Sequence, residues 1–467
     1  MRESMSTRRR VLYALGSTGF QITDRIVVAI SLYFYLPPGG RGLEPQIPTG
    51  VFAFGLTAYG AAMLIGRLFD MWADPIVGYA SDRSRSPLGR RRAFLIYGIA
   101  PMVVLPVLLF WPPGYPGSSF NAYWLAVILS VYFVFFTIYV APFLALIPEI
   151  ASTEKERVRL AAIMAGVSFP ILTVFGVAWG VGVDLGRGAG MSTIESVRWI
   201  VVIASVLAFV LCLGPILAVD EKRFAHTVPS TLPLKQSLLL TIRNRGFVHY
   251  LIAQLPFILG INMIGPALVY YATVVLGRSE GFAIYLGGAM ILPTIIGFAI
   301  VHLLTRRLGS KRTMVLCVGL FSITLCSLWW LQPDAPGGPN DAGNLWLIFT
   351  VLAINGLPLA GFLVLPPVII GQLTDWDQVH TGANRAAMYF GMQGFITKLP
   401  YGVSAAILAY LFQSFGASPE EPLGVLLVGP IAGGFCLLST LLFLLYPERA
   451  VLEETRRRGI SLPAETR

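Results

Sequence analysis

Twelve long apolar runs, parted by short basic or turn-rich clusters, leave this chain little choice of solvent. A helix that crosses a bilayer needs about 20 mostly apolar residues. Runs of that kind recur at 11–36, 50–80, 93–111, 121–150, 158–185, 196–218, 248–276, 282–305, 313–331, 344–373, 383–415 and 422–447. The breaks are chemically distinct: PPGGRG follows the first run, PPGYPGSS the third and PDAPGGPND the ninth, all clusters of turn formers. Charged residues make up only 12% of the 467, about half the share usual in a soluble domain, and the mean hydropathy is +0.72. Composition and patterning together predict an all-α membrane protein with twelve transmembrane helices. They exclude a soluble enzyme, a disordered chain and a disulfide scaffold. The four cysteines lie inside apolar runs with no CxxC pairing, so neither a disulfide framework nor a zinc site is expected. The opening MRESMSTRRR has the charge of a secretory leader. Its apolar run continues to residue 36 without a small-residue cleavage site, which predicts a retained first span.

Orientation follows from the basic residues, because cytoplasmic loops collect Lys and Arg. With the N-terminus inside, 27 of the 34 fall on the inner side and four, Arg41, Arg187, Arg198 and Arg278, on the outer side; Arg25, Arg67 and Lys398 lie within spans. Both termini are therefore expected in the cytoplasm, in the plasma (inner) membrane of the cell. The net charge of +10 is spread over inner loops, so no nucleic-acid partner is expected. The longest inner loop, 219–247, contains DEKR and RNR and divides the chain. The expected layout is a cytoplasmic N-terminus (1–10), a six-helix bundle (11–218), this middle loop, a second six-helix bundle (248–447) and a cytoplasmic tail (448–467). DRSRSPLGRRR (Asp82 to Arg92) after span two and TRRLGSKR (Thr305 to Arg312) after span eight form a weak internal repeat. Such repeats mark secondary transporters.

An ionisable group inside a span costs roughly 2.5–3.5 kcal/mol on insertion scales, so each needs a reason. Asp70 and Asp74 in span two stand i, i+4, on one helical face and about 5–6 Å apart. Two carboxylates so close in a poorly hydrated site hold a proton or a cation between them, which makes them a candidate coupling-ion site. The alternative is that Arg67, one turn earlier, pairs with Asp70 while Asp74 caps the inner loop. Lys398, well inside span eleven, is read as a charge partner for these acids rather than a snorkelling lysine. Asp24 and Arg25 in span one are adjacent, so they face different ways, one to the cavity and one to the surface. Gln21 shares the face of Asp24. His380 is read as a loop residue, and GRGAG at 186–190 as a turn. No HExxH, GxSxG or GxxxxGK[ST] is present, so an embedded protease, esterase or ATPase lacks its parts.

The stretch RLFDMWADPIVGYASDRSRSPLGRRR (Arg67 to Arg92) resembles the major facilitator superfamily, and within it the glycoside–pentoside–hexuronide:cation symporters, the group that contains melibiose permease. APFLALIPEIASTEKER (Ala141 to Arg157) and TDWDQVHTGANRAAMYFGMQGFITK (Thr374 to Lys398) carry the resemblance across both halves. It implies two six-helix bundles related by a pseudo-two-fold axis. It also implies cation binding, of H+ or Na+, by Asp70, Asp74 and Thr137; a substrate cavity with Gln21, Asp24, Arg67, Gln393 and Lys398; and a conformational latch of Asp82, Arg83, Arg90 and Arg91. Ala73 stands where sodium-using members often have asparagine, which favours protons. The family's sugar-recognising positions here hold Gln21, Val140, Leu144 and Ala165, so the coupling machinery is retained while the sugar site is replaced. YALGSTGFQITD of span one also resembles the animal lysolipid symporters of the same broader group. The expected function is cation-coupled symport of a small organic solute, a sugar or glycoside, by alternating access, with no cofactor and as a monomer. The alternatives are an amphipathic substrate such as a lysophospholipid, and a lipid handler or sensor of the same fold without coupled flux.

Overall fold

The computed structural model describes residues 5–52, 55–151, 154–221, 242–331, 345–381, 386–448 and 453. Each of the twelve apolar runs is helical. In chain order the helices are α1 (Thr7–Arg25), α2 (Ser31–Tyr35), α3 (Ala58–Arg83), α4 (Arg92–Leu109), α5 (Ser119–Ile150), α6 (Glu154–Gly188), α7 (Thr193–Ala218), α8 (Arg245–Tyr270), α9 (Ala283–Gly288), α10 (Ile291–Leu308), α11 (Ser310–Ser327), α12 (Leu345–Ile354), α13 (Gly356–Thr381), α14 (Ala386–Phe415), α15 (Leu423–Leu426) and α16 (Val428–Leu444). Among the described residues, nine helical stretches are long and apolar enough to cross a membrane. Spans one, two and five are absent from that set although their helices are in place. Spans one and two owe this to the ionisable residues they carry.

Several ends differ from expectation. Span two begins at Ala58, not at residue 50. Gly50 and Gly55 adopt positive φ, and the Thr57 hydroxyl caps the helix by accepting from the Gly60 amide at 3.0 Å. Span ten runs on to Thr381, so His380 is helical and stacks on Trp376 one turn earlier, ring centroids 3.9 Å apart. GRGAG straddles the end of α6, with Gly190 at φ +84° making the turn. Spans one and seven each carry a π-helical segment, at Ile26–Ile30 and Tyr271–Val275. Such segments are rare and concentrate at functional sites.

The chain divides into two compact units. In the first, which takes in Met1–Pro229, Ala272–Ile284 and Ala405–Gly424, α1 packs on α7, α3 on α5, and α4 on α5 and α7. In the second, α8 packs on α16, α10 on α13, and α11 on α16 and α13. In span order the first unit pairs one with six, two with four and three with six. The second pairs seven with twelve, eight with ten and nine with twelve. The weak sequence repeat is thus a repeat of packing. Small residues permit the closest crossings. A Cβ on Gly16 would stand 2.2 Å from Pro215, one on Gly19 2.5 Å from Cys212, and one on Gly214 2.2 Å from the Leu12 carbonyl. These contacts seat α1 and α7 backbone to backbone.

Candidate functional site

Arg67, Asp70 and Asp74 follow one another at single-turn spacing along α3, so they form a stripe on one face. α5 crosses that face and presents Phe133 and Thr137, again one turn apart. Asp70 is fully buried. Its Oδ1 accepts from the Thr137 hydroxyl at 2.6 Å and its Oδ2 from Arg67 Nη1 at 3.2 Å. The same hydroxyl lies 3.4 Å from Asp74 Oδ1, so three oxygens converge. Arg67 is buried as well. Its second nitrogen, Nη2, donates to Asp24 Oδ1 on α1 at 3.1 Å, and its guanidinium lies over the Phe133 ring, 4.1 Å from the centroid. A buried arginine needs both an opposite charge and fixed donors' partners, and here it has two carboxylates and an aromatic face. Arg67 pairs with Asp70, as one of the two sequence alternatives expected, and the contact of Asp74 is with the Thr137 hydroxyl on α5 rather than with the inner loop. Asp24 turns inward to Arg67 while Arg25 is exposed. Gln21 is half-buried and donates to the Ser17 carbonyl at 2.9 Å.

In the second unit, Gln393 Nε2 donates to Gln254 Oε1 at 2.9 Å and to the Tyr250 hydroxyl at 3.0 Å. Lys398, one turn and a half further along α14, is half-buried.

The basic turn between α3 and α4 engages two acids that sequence reasoning missed. Glu149 Oε1, at the end of α5, accepts from Arg90 Nη2 at 2.6 Å and from Arg91 Nε at 2.8 Å. Glu221, just past α7, accepts from the backbone amides of Arg90 and Arg91 at 2.8 Å each and from that of Arg92, which caps the positive end of α4. In the second unit Glu448 accepts from the Lys311 amide at 2.9 Å, at the start of α11. Arg83 is exposed, its guanidinium 4.1 Å from the Tyr79 ring centroid; the side chains of Asp82 and Ala165 lie outside the described residues. The only advance signal for Glu221 and Glu448 was their matching place, each followed by basic residues after the last span of its half.

A third cluster joins Tyr33, Arg41, Arg187 and Glu280. Glu280 is fully buried, accepts from the Tyr33 hydroxyl at 2.6 Å, and is gripped by Arg187 Nη1 and Nη2 at 2.6 and 3.2 Å.

The family model described as MFS/sugar transport protein matches residues 12–446. An uncharacterized symporter of Bacillus subtilis, YnaJ, is 24% identical over 94% of this chain and 91% of its own. The isoprimeverose transporter of Lactiplantibacillus pentosus is 22% identical over 87% and 80%. Among solved structures, a D-xylose-proton symporter superposes with a TM-score of 0.62 at 14% identity, covering 95% of this chain and 98% of that one. The twofold packing pattern is accordingly that of the major facilitator fold, and the chain belongs to the MFS/sugar transport protein family.

Proposed function

We propose that the protein is a secondary active symporter that couples a cation at Asp70, Asp74 and Thr137 to the movement of a sugar or glycoside by alternating access. The observation that carries this reading is the Thr137 hydroxyl set between two carboxylates in the membrane-embedded core, 2.6 and 3.4 Å away. Carboxylates held this way exchange a small cation with less cost than either would bear alone. A proton is the favoured cation. Ala73 supplies no side-chain oxygen of the kind a hard metal cation collects. Asp24, Gln21 and Arg67 border the substrate in this reading. Asp82, Arg83, Arg90 and Arg91 form the conformational latch in this reading, with Glu149 holding Arg90 and Arg91 in the conformation described. The protein works as a monomer in the plasma (inner) membrane with both termini cytoplasmic, and no bond-making chemistry is assigned to it.

The test is uptake of a panel of radiolabelled glycosides into proteoliposomes under imposed proton or sodium gradients. At least one glycoside should accumulate, and accumulation should collapse when the gradient is dissipated. Asp74→Asn should abolish accumulation while leaving downhill exchange. Accumulation by Asp74→Asn as strong as that of the wild type overturns the coupling assignment. Lysophospholipid uptake in the same vesicles, with no glycoside transported, would select an amphipathic substrate instead.

A further inference from the structure

Asp24 is on a different helix from the acids assigned to the cation, yet it shares their arginine. Arg67 divides its two terminal nitrogens between Asp24 Oδ1 at 3.1 Å and Asp70 Oδ2 at 3.2 Å. The two carboxylates sit in unlike surroundings: the side chain of Asp70 is 0% exposed and that of Asp24 is 24% exposed. Among the described residues, α1, α3 and α5 bring further polar and titratable groups. α3 carries Asp74 and Tyr59, the latter within electrostatic reach of Arg67. α5 carries Thr137 and Tyr132, whose hydroxyl donates to Thr23 Oγ1 on α1 at 3.1 Å. Two carboxylates on different helices therefore draw on one guanidinium. A planar fork is the group that can hold both at once, because an ammonium is a point charge.

We propose that Asp24 is a positioning residue of the coupling site: it competes with Asp70 for Arg67, so that a cation at Asp70 and Asp74 and a hydroxyl-bearing substrate at Asp24 are linked through that guanidinium. The inference rests on the reading of Asp70, Asp74 and Thr137 as the coupling site. A cation that neutralises those carboxylates loosens their hold on Arg67, which then pairs more fully with Asp24. Arg67 fixes the half-exposed carboxylate, whose remaining lone pairs accept hydroxyls. By linkage, a substrate that favours the Arg67-paired Asp24 draws the guanidinium from Asp70 and raises cation affinity by the same factor. That is the sign symport requires.

The experiment needs no substrate. On purified full-length protein, sodium affinity is read from the rise of melting temperature in sodium chloride against choline chloride. Proton affinity is read from the carboxyl band in infrared difference titrations referred to Asp70→Asn. For whichever cation the wild type binds, Asp24→Asn and Asp24→Ser should weaken binding by at least about tenfold, one pK unit in the proton case. Asp24→Glu should stay within about threefold of wild type. In an Arg67→Gln background the Asp24→Asn change should add nothing, since the arginine that transmits it is gone. Affinity within about twofold of wild type in both neutral variants overturns the proposal. So does a loss that persists without Arg67, because Asp24 would then act by its own charge. If Asp70→Asn binds the cation as well as the wild type, the coupling site itself is misplaced and the inference falls with it. If Asp70→Asn loses binding while Asp24→Asn keeps it, the inference alone falls.

Discussion

Thr137 has one hydroxyl proton and two carboxylates to offer it to. It gives the proton to Asp70, at 2.6 Å, and stands 3.4 Å from Asp74. Replacing it with valine keeps the shape and removes the donor, and the consequence differs in sign with the cation. If the cargo is a proton, loss of a hydrogen bond to the ionised carboxylate favours the protonated form, so proton affinity rises. If it is sodium, loss of an oxygen ligand lowers affinity. A hydrogen bond to a charged group is worth about 1.5–3 kcal/mol, or roughly 10- to 100-fold either way. Thr137→Ser should bind as the wild type does, and equal affinities in Thr137→Val and wild type would remove Thr137 from the site. Asp70 and Asp74 were legible from sequence because a carboxylate in an apolar run is conspicuous. Glu149, Glu221 and Glu280 were not, because acids at helix ends are ordinary, and their partners are 59, 131 and 93 residues away for Arg90–Glu149, Arg90–Glu221 and Arg187–Glu280. No local spacing encodes such pairs.

At the scale of the element, adjacent glycines of α16 separate packing from propensity. A Cβ on Gly433 would stand 2.5 Å from Cys326 Sγ and 2.9 Å from the Ser322 carbonyl on α11, whereas one on Gly434 would meet nothing within 4 Å. Gly433→Ala must push two helices apart, at about 1–3 kcal/mol for an overpacked contact. Gly434→Ala only restricts the backbone and should leave the melting temperature unchanged or higher. Differential scanning fluorimetry of the two variants in detergent decides it, and equal shifts would mean that α11 and α16 do not meet as described. The sequence made the existence of each helix plain through length and hydropathy. The break at Asn355 between α12 and α13 falls on an Asn-Gly pair, a turn signal that is easily read through because the run on either side is apolar. The extension of α13 through Thr374–Thr381 was hidden for the opposite reason: TDWDQVHT is polar enough to read as loop, yet the helix continues past the apolar stretch. Hydropathy reports where lipid lies, and helices do not stop there.

Over the whole molecule, orientation rests on a charge asymmetry whose exceptions have structural employment. In the proposed topology four basic residues lie outside, Arg41, Arg187, Arg198 and Arg278. Arg187 grips the buried Glu280. Arg41 donates to the Thr273 carbonyl at 2.9 Å and to that of Arg278. Arg198 Nε donates to the Phe110 carbonyl at 2.9 Å, with its guanidinium 5.0 Å from the Trp111 ring centroid; Arg278 lies 5.8 Å from that of Phe282. Arginines tied into hydrogen bonds and rings have a folding role that offsets their bias toward the inner side, so they do not weaken the count of 27 on the other side. A fluorescent reporter that folds only in the cytoplasm should therefore shine when fused after Arg467. Alkaline phosphatase, active only outside, should work when fused after Gly117 in the turn between α4 and α5. The reverse pattern would invert the topology. The same cluster makes a stability prediction. Glu280 is wholly buried while the Arg187 side chain is 29% exposed, so Glu280→Gln strands a partly buried guanidinium and takes the charge from the Tyr33 and Arg187 contacts. Removing one partner of a buried pair costs on the order of 3 kcal/mol. Arg187→Gln should cost more than Glu280→Gln, because it leaves the carboxylate, the more deeply buried of the two charges, without its strongest donor. If the two variants melt together with the wild type, the cluster contributes no net stability, and the outer arginines would need another reason for standing against the charge rule.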